Sequence, residues 1–451
     1  MSATRAAERP LGPLYGCAQI GLNAVLAALT LHLVFLYTDE FEVAPKLLAI
    51  ALGLSPLFEI VLNPVVGYLS DSTTTRFGRR RPYILAAAVP YGLLFACLMS
   101  PPWGLESGAG SGFALLAATM VGLYGARAFF DVPYTALLPE LTQDYAARAR
   151  LAGWRQMFGT LGDILGSAGP VLLLLVLEPR DAFGWFGASV GALVVVSAAI
   201  TFLGTREPRR ATPAAAPALR VLLATLSSRA LRIFLIGYGL AFFATEYTVG
   251  MFRFVIKYVL EAEAMLPQFI GAYFLGALVC LPLCVRAVRA YGKKPVLIFL
   301  MLANAVPVLA IFAVPASAAP VFLPIMALSG GLHVGLWSTA AGILPDVVEW
   351  EELATGSRRP GAFFGVYGVV QKSIISLSLA GVSGGLWAIG FETGGGAALG
   401  PRIRLLFGAG PALLFVAGAA LFVPFPITSA SYEATRRALA LRGGGGSTRV
   451  S

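Results

Sequence analysis

Apolar stretches of about 20 residues recur from one end of this chain to the other, and nothing else limits its possible folds so severely. A run of that length crosses the roughly 30 Å hydrocarbon core of a bilayer. Inside that core every backbone N–H and C=O must pair within the protein, which leaves helices or a closed barrel. Barrel strands alternate lipid-facing and lumen-facing residues over about ten positions, whereas the runs here are continuously apolar. Only 12% of the 451 residues are charged, about half the roughly 25% of a soluble surface. The expected class is an all-α integral membrane protein.

Twelve transmembrane helices are expected between residues 14 and 424. The segment GTREPRRATPAAAPALRVLLATLSSRAL, rich in Pro, Ala and Arg, divides them six and six and reads as a surface connector. The expected organisation is an N-terminal six-helix bundle (1–203), a cytoplasmic linker (204–230), a C-terminal six-helix bundle (231–424) and a cytoplasmic tail (425–451). The net charge of +10 points to topology rather than to nucleic acid. Roughly 25 of the 33 Lys and Arg fall in the termini and even-numbered loops, which places both termini in the cytoplasm of a cell inner membrane protein. Arg5 and Arg9 precede an apolar stretch too long for a signal-peptide core, so the first helix is expected to be retained. Cys17, Cys97, Cys280 and Cys284 all lie in apolar runs and read as small core residues, with no metal or redox role.

A weak repeat supports the division. GYLSDSTTTRFGRRRPYIL follows the second span and RAVRAYGKKPVLIFL the eighth; LLPELTQDYAARARLAGWRQMFG after the fourth echoes ILPDVVEWEELATGSRRPGAFFG after the tenth. A six-helix unit used twice in parallel is a transporter architecture, with the substrate site between the halves.

Charges inside the spans carry the functional information. A charged side chain at the bilayer centre costs about 2.5–3.5 kcal/mol on insertion scales, so Glu59, Arg127, Asp131, Asp163, Glu246, Arg253 and Lys372 each call for a partner and a purpose. The plain alternative for each is a structural ion pair between helices. Glu59 and Asn63 lie one turn apart on one face, as do Arg127 and Asp131. Glu246 and Arg253 share a face and could pair with each other or with Asp163. His32 is expected on the helix face opposite Asn23, and His333, one turn from Trp337, is a weaker proton-relay candidate. PDVVEWEE, residues 345–352, reads as an acidic cytoplasmic clasp for the basic loops.

These residues resemble the major facilitator superfamily: Gly67, Asp71, Arg76, Gly78, Arg79 and Arg80 match its signature loop. More narrowly, LYTDEF, NPVVGYLSDSTTTRFGRRRPY, DVPYTALLPELTQDYAARARLAGWRQMFG and ILPDVVEWEELATGSRRPGAFFGVYGVVQK are similar to the glycoside–pentoside–hexuronide:cation symporters, the melibiose permease-like family. The resemblance implies alternating access by two rocking bundles, with Asp71, Arg76, Arg79 and Arg80 as a conformational gate. It also implies a cation site on the second helix, where the family has two aspartates and this chain has Glu59 and Asn63. The intervening amide is Leu62 here and the helix-four hydroxyl is Ala128, so Na+ coupling is not expected. Arg127 is expected to act as a tethered cation between Glu59 and Asp131, leaving a uniporter or an H+-coupled carrier.

For the solute, the resemblance implies Asp131, Arg155 and Lys372, with Trp154 stacking and Tyr134 and Gln371 nearby. Asn23 stands where the family has a sugar-gripping aspartate. The function implied is transport of a sugar, glycoside or similar polar organic solute by a monomer in contact with membrane lipids, without cofactor, metal or nucleic acid. A lipid or lysolipid carrier of the same fold is the alternative. A membrane-embedded enzyme is disfavoured by two histidines, no clustered thiols and no paired acid/base motif.

Overall fold

The computed structural model describes residues 11–101, 110–142, 144–207, 225–356, 360–391 and 399–444. Arg5, Arg9, Arg358, Arg359 and most of the expected linker lie outside the described residues. Among those described, every regular element is helical. The long helices are α1 (Leu11–Leu33), α2 (Pro45–Ser72), α3 (Arg81–Met99), α4 (Gly110–Leu141), α5 (Tyr145–Leu173) and α6 (Pro179–Gly204). They continue with α7 (Arg229–Tyr258), α8 (Leu266–Tyr291), α9 (Lys293–Leu309), α10 (Phe322–Thr355), α11 (Pro360–Ala388) and α12 (Gly400–Phe422). A further helix, α13 (Ser429–Gly444), follows the last of them.

Ten of these helices are long and apolar enough to cross a membrane. The other two, α2 and α5, have 28 and 29 residues, which suffices at about 1.5 Å per residue. Both carry charged residues along their length: Lys46, Glu59 and Asp71 on α2, and Arg148, Arg150, Arg155 and Asp163 on α5. Two helix starts carry a side-chain cap. Asp144 accepts the Ala147 N–H at 2.8 Å at the start of α5, and Ser228 accepts that of Leu231 at 3.2 Å at the start of α7.

By internal contact the chain forms two compact units, Met1–Ala215 with Leu379–Thr393, and Ala216–Ser378 with Gly394–Ser451. In the first, α1 packs on α5, α2 on α4, and α3 on both α4 and α6; in the second, α8 packs on α10 and α7 on α12. Without a hydrophobic force between helices in lipid, close approach of small residues must supply the packing. The α1–α5 contact shows this clearly, because a Cβ at Gly162 would sit 2.4 Å from the Ile20 carbonyl oxygen.

Within α1, residues Leu29–Leu33 form a π-helical turn. The wider turn slows the rotation of the side chains and moves His32 from the expected opposite face onto α5. There its Nε2 meets the Ser167 carbonyl oxygen at 2.9 Å, and its ring lies edge-on to Phe183. His32 thus joins α1 to α5 and α6.

Substituting Gly162 by Ala is expected to push α1 from α5 and destabilise the solubilised protein by about 1–3 kcal/mol, read as a lower melting midpoint. Gly153→Ala, where a Cβ meets nothing within 4 Å, is expected to leave the midpoint unchanged or raise it slightly. Equal effects at both positions would refute the close-packing account.

Candidate functional site

The buried mid-helix charges of the first unit, Glu59, Arg127 and Asp131, lie on α2 and α4, and α5 brings the half-buried Arg155 and Asp163 beside α1. Glu59 is 2% exposed and Arg127 9%, and the Arg127 Nη1 lies 3.7 Å from the Glu59 Oε2. Asn63 follows one turn after Glu59, and its Oδ1 is buried with no hydrogen-bond partner among the described residues. Asp131, also buried, accepts the Thr135 hydroxyl at 3.2 Å.

Arg155 projects from α5 into a shell of neutral groups. Its Nε donates to Gln19 Oε1 at 2.7 Å and its Nη2 to the Thr135 hydroxyl at 3.3 Å. Its guanidinium lies 5.2 Å from the Tyr134 ring centroid and hydrogen-bonds Tyr15. Tyr15 and Tyr134 are themselves locked: their rings stack at 4.9 Å, and each hydroxyl donates to the other's carbonyl oxygen at 3.2 and 3.0 Å. Beyond Gln19 the chain of contacts continues, Gln19 Nε2 donating to Asn23 Oδ1 at 2.7 Å. One polar thread therefore joins Asn23, Gln19, Arg155, Thr135 and Asp131 across α1, α5 and α4, and Asp163 lies beside Asn23. Asp163, one of two partners considered for Glu246 and Arg253, thus lies against α1.

Trp154 lies at the other end of this face: a Cβ on Gly12 would come 2.2 Å from its Cδ1, and the side of its ring left open makes the residue 38% exposed. Lys372 sits on α11 in the second unit, half-buried, next to Gln371, whose amide donates to the Tyr367 hydroxyl at 3.4 Å. In the same unit His333 meets the Tyr273 hydroxyl through Nδ1.

The gate residues form a dense cluster beyond the end of α2. Arg80 Nη2 contacts Asp71 at 2.6 Å and Glu140 at 3.2 Å, while Arg79 Nη2 contacts Glu140 at 2.7 Å. Arg76 instead rests on the Phe77 ring at 4.6 Å and is exposed. Glu207 accepts the backbone N–H groups of Arg79, Arg80 and Arg81 at 2.7, 3.0 and 2.8 Å, placing a carboxylate on the positive end of α3. The turn depends on Gly78, at φ +109° and within 2.7 Å of the Glu207 carboxyl if it carried a Cβ.

The second unit repeats the pattern. Gly292, at φ +85°, turns the chain, and Lys293 Nζ contacts both oxygens of Asp346 at 2.7 Å. Lys293 also lies 5.4 Å from the Tyr432 ring of α13. Burial, with Asp346 and Glu349 alongside, pushes the Tyr432 phenol up to about 12, so it remains a neutral donor to Glu349. The acidic stretch 345–352 thus serves Lys293, Tyr432 and, through Glu351, the Ser228 hydroxyl at 2.5 Å within its own unit.

Sequence reasoning missed Gln19, Thr135, Glu140 and Glu207. Gln19 and Thr135 lie one turn from Asn23 and Asp131 on the same faces, a spacing that could have found them. Glu140 occupies the place in LLPE that Asp346 holds in ILPD, so the repeat itself marks it.

Residues 14–429 match the family described as MFS/sugar transport protein. The chain is 25% identical over 384 residues to an uncharacterized symporter, YnaJ, of Bacillus subtilis (strain 168), covering 82% of this chain and 81% of that one. It is 25% identical over 468 residues to the sodium-dependent lysophosphatidylcholine symporter 1-A of Danio rerio, covering 92% and 85%. Among solved structures a D-xylose-proton symporter matches with TM-score 0.65 at 16% identity, covering 92% of this chain and 96% of that one, a likeness of fold.

Glu59→Gln is expected to leave the Arg127 guanidinium facing a neutral group and to destabilise the protein by about 3–5 kcal/mol. Adding Arg127→Gln should recover much of that loss in a thermal double-mutant cycle. Additive losses would show that the two side chains do not depend on one another.

Proposed function

Given that the chain belongs to the MFS/sugar transport protein family, we propose that this secondary transporter, which is not an enzyme, moves a sugar, glycoside or similar polar organic solute. The observation that supports the reading is Arg155 hydrogen-bonded to the neutral acceptors Gln19, Thr135 and Tyr15, with the Asp131 carboxylate near enough to attract it. Solute hydroxyls are donors and acceptors of the same kind, so they can take the place of those contacts. Asp131 accepts from the solute, Asn23, Arg155 and Lys372 donate to it, and Trp154 offers an aromatic face. The spans number twelve, in two bundles that rock to expose the site alternately, with Asp71, Arg79, Arg80 and Glu140 breaking and reforming contacts as the gate.

Arg127 takes the role of a coupling cation, permanently neutralising Glu59. Sodium is then not required, and the transporter runs on protons or on the solute gradient alone. The basic even-numbered loops support a cell inner membrane location with cytoplasmic termini. A monomer surrounded by lipid suffices for this mechanism. A lysolipid cargo is the second reading, favoured by the similarity to the zebrafish lysophosphatidylcholine symporter over most of both chains.

Counterflow in proteoliposomes tests both cargoes without assuming a driving ion. D-xylose and methyl xylosides are expected to exchange and lysophosphatidylcholine not to. Asp131→Asn and Arg155→Gln should each lower sugar exchange at least tenfold, roughly the loss of one charge-assisted hydrogen bond. Replacing sodium by choline should change nothing. Exchange of lysophosphatidylcholine alone would transfer the assignment to lipid, and saturable stimulation by sodium would remove Arg127 from its role.

A further inference from the structure

We propose that a groove between the start of α7 and the end of α12 binds one anionic phospholipid, its phosphate held by Arg229 and Arg232. The groove uses none of the solute residues named above, so the proposal goes beyond the carrier reading and does not rest on it.

The groove has a volume of about 360 Å³ and is lined by Arg229, Arg232, Ile233, Ile236, Leu421 and Pro424. The four residues from α7 follow the i, i+3, i+4, i+7 spacing of a single helix face. Leu421 and Pro424 form the opposite wall. The two helices meet through small residues: a Cβ at Gly237 would stand 3.0 Å from the Gly418 carbonyl oxygen, and one at Gly418 2.6 Å from that of Gly237. Phe234 and Phe422, both buried, stand edge to face with ring centroids 6.5 Å apart. These rings fill the interior side of the contact. Ile236 and Leu421 are left exposed on the outer side, where a membrane protein meets lipid.

The polar and apolar parts of the groove are ordered along α7. Its 30 residues span about 45 Å at 1.5 Å each, more than the roughly 30 Å of a hydrocarbon core. The arginines occupy its first turn, directly after the basic linker, on the side expected to be cytoplasmic. Ile236 lies seven residues on, about 10 Å deeper. A charged mouth above an apolar floor is the shape of an amphiphile.

Charge selects among amphiphiles. Arg229 is exposed and makes no ion pair or hydrogen bond among the described residues. Arg232, also exposed, donates through Nη1 to the carbonyl oxygens of Leu226 and Ser227 at 3.1 and 2.9 Å, which leaves its other N–H groups for a ligand. Glu351, the acid that contacts this end of α7, takes the Ser228 hydroxyl instead. Two guanidinium forks therefore stand together with no carboxylate in the groove lining. Such forks match phosphate oxygens in bidentate geometry, and basic pockets between spanning helices bind anionic headgroups. A choline or ethanolamine headgroup would bring its own cation to a lining that offers it no acid. Free phosphate would engage the arginines and leave Ile236 and Leu421 uncovered.

Native mass spectrometry of the full chain in detergent, titrated with phosphatidylglycerol or with phosphatidylcholine of the same acyl chains, tests the site. One phosphatidylglycerol is expected to bind more tightly than those that follow and more tightly than phosphatidylcholine. Arg229→Gln breaks no contact among the described residues; it should weaken that first binding about fivefold, and Arg229→Gln with Arg232→Gln about thirtyfold. Arg229→Lys keeps the charge without the fork and is expected to fall between wild type and Arg229→Gln, so the pair of single variants decides the matter should the double variant not fold. Arg289→Gln, at an exposed arginine near the end of α8, should change nothing. Equal affinity for the two lipids, full retention by Arg229→Gln, or an equal loss in Arg289→Gln overturns the site. Displacement of the lipid by excess inorganic phosphate would make it a plain anion site and overturn the proposal as well.

Discussion

A charge carried into hydrocarbon must be paired, protonated or led back to water, and the first unit is arranged around that requirement. Arg127 and Glu59 meet it by facing each other at 3.7 Å with almost no exposure. Their desolvation is so costly that neither is easily given up by the other. The consequence reaches back into helix formation. α2 and α5 carry the charges and forfeit a uniformly apolar surface, so they depend on α4 and α1 to receive their polar faces. The tight α1–α5 contact at Gly162 then sets the spacing at which Gln19 reaches both Arg155 and Asn23 at 2.7 Å.

The same requirement is met differently where the helices leave the membrane. Gly78 and Gly292 both turn with positive φ, and the residue after each, Arg79 or Lys293, contacts the acid of the LLPE or ILPD motif at 2.7 Å. The two versions divide along the chemistry of their cations. The arginine pair shares Glu140, and Arg80 reaches Asp71 as well, a spread that planar forks allow. Lys293 is a point charge. It collects both Asp346 oxygens, the Gly342 carbonyl at 2.8 Å and the Tyr432 ring around one ammonium.

Much of this was legible in the residues. Length and continuity of the apolar runs suffice for an all-helical membrane fold, because the bilayer leaves few alternatives. The ion-pair cluster could be read as well, since Asp71, Arg79 and Arg80 lie close together in sequence and their repeat marks the acids. The thread through Gln19 and Thr135 was harder to see. Neutral polar residues cost little in a spanning helix and so raise no alarm on their own; only the charges beside them do. His32 was assigned to the wrong face for a different reason. A regular helical period cannot anticipate a π-helical turn, which changes the rotation of every residue after Ala28. The asparagine that replaces a family aspartate read as a loss. Once α5 is seen beside α1, Asp163 stands next to Asn23.

These features separate two kinds of buried cation, and a carrier needs both. Arg127 faces a carboxylate that is itself sealed, so moving it would expose two opposite charges at once, at a cost of several kcal/mol per ion. It is fixed. Arg155 hydrogen-bonds an amide and hydroxyls and lies over a ring, with Asp131 attracting it from beyond them. Exchanging one neutral acceptor for another conserves the number of hydrogen bonds and leaves the free energy nearly level, because the net worth of each is about 1 kcal/mol. On the proposed reading, a solute hydroxyl competes for Arg155 by replacing one of these neutral contacts, and selectivity lies in whether a solute presents its acceptors where Gln19 and Thr135 now present theirs.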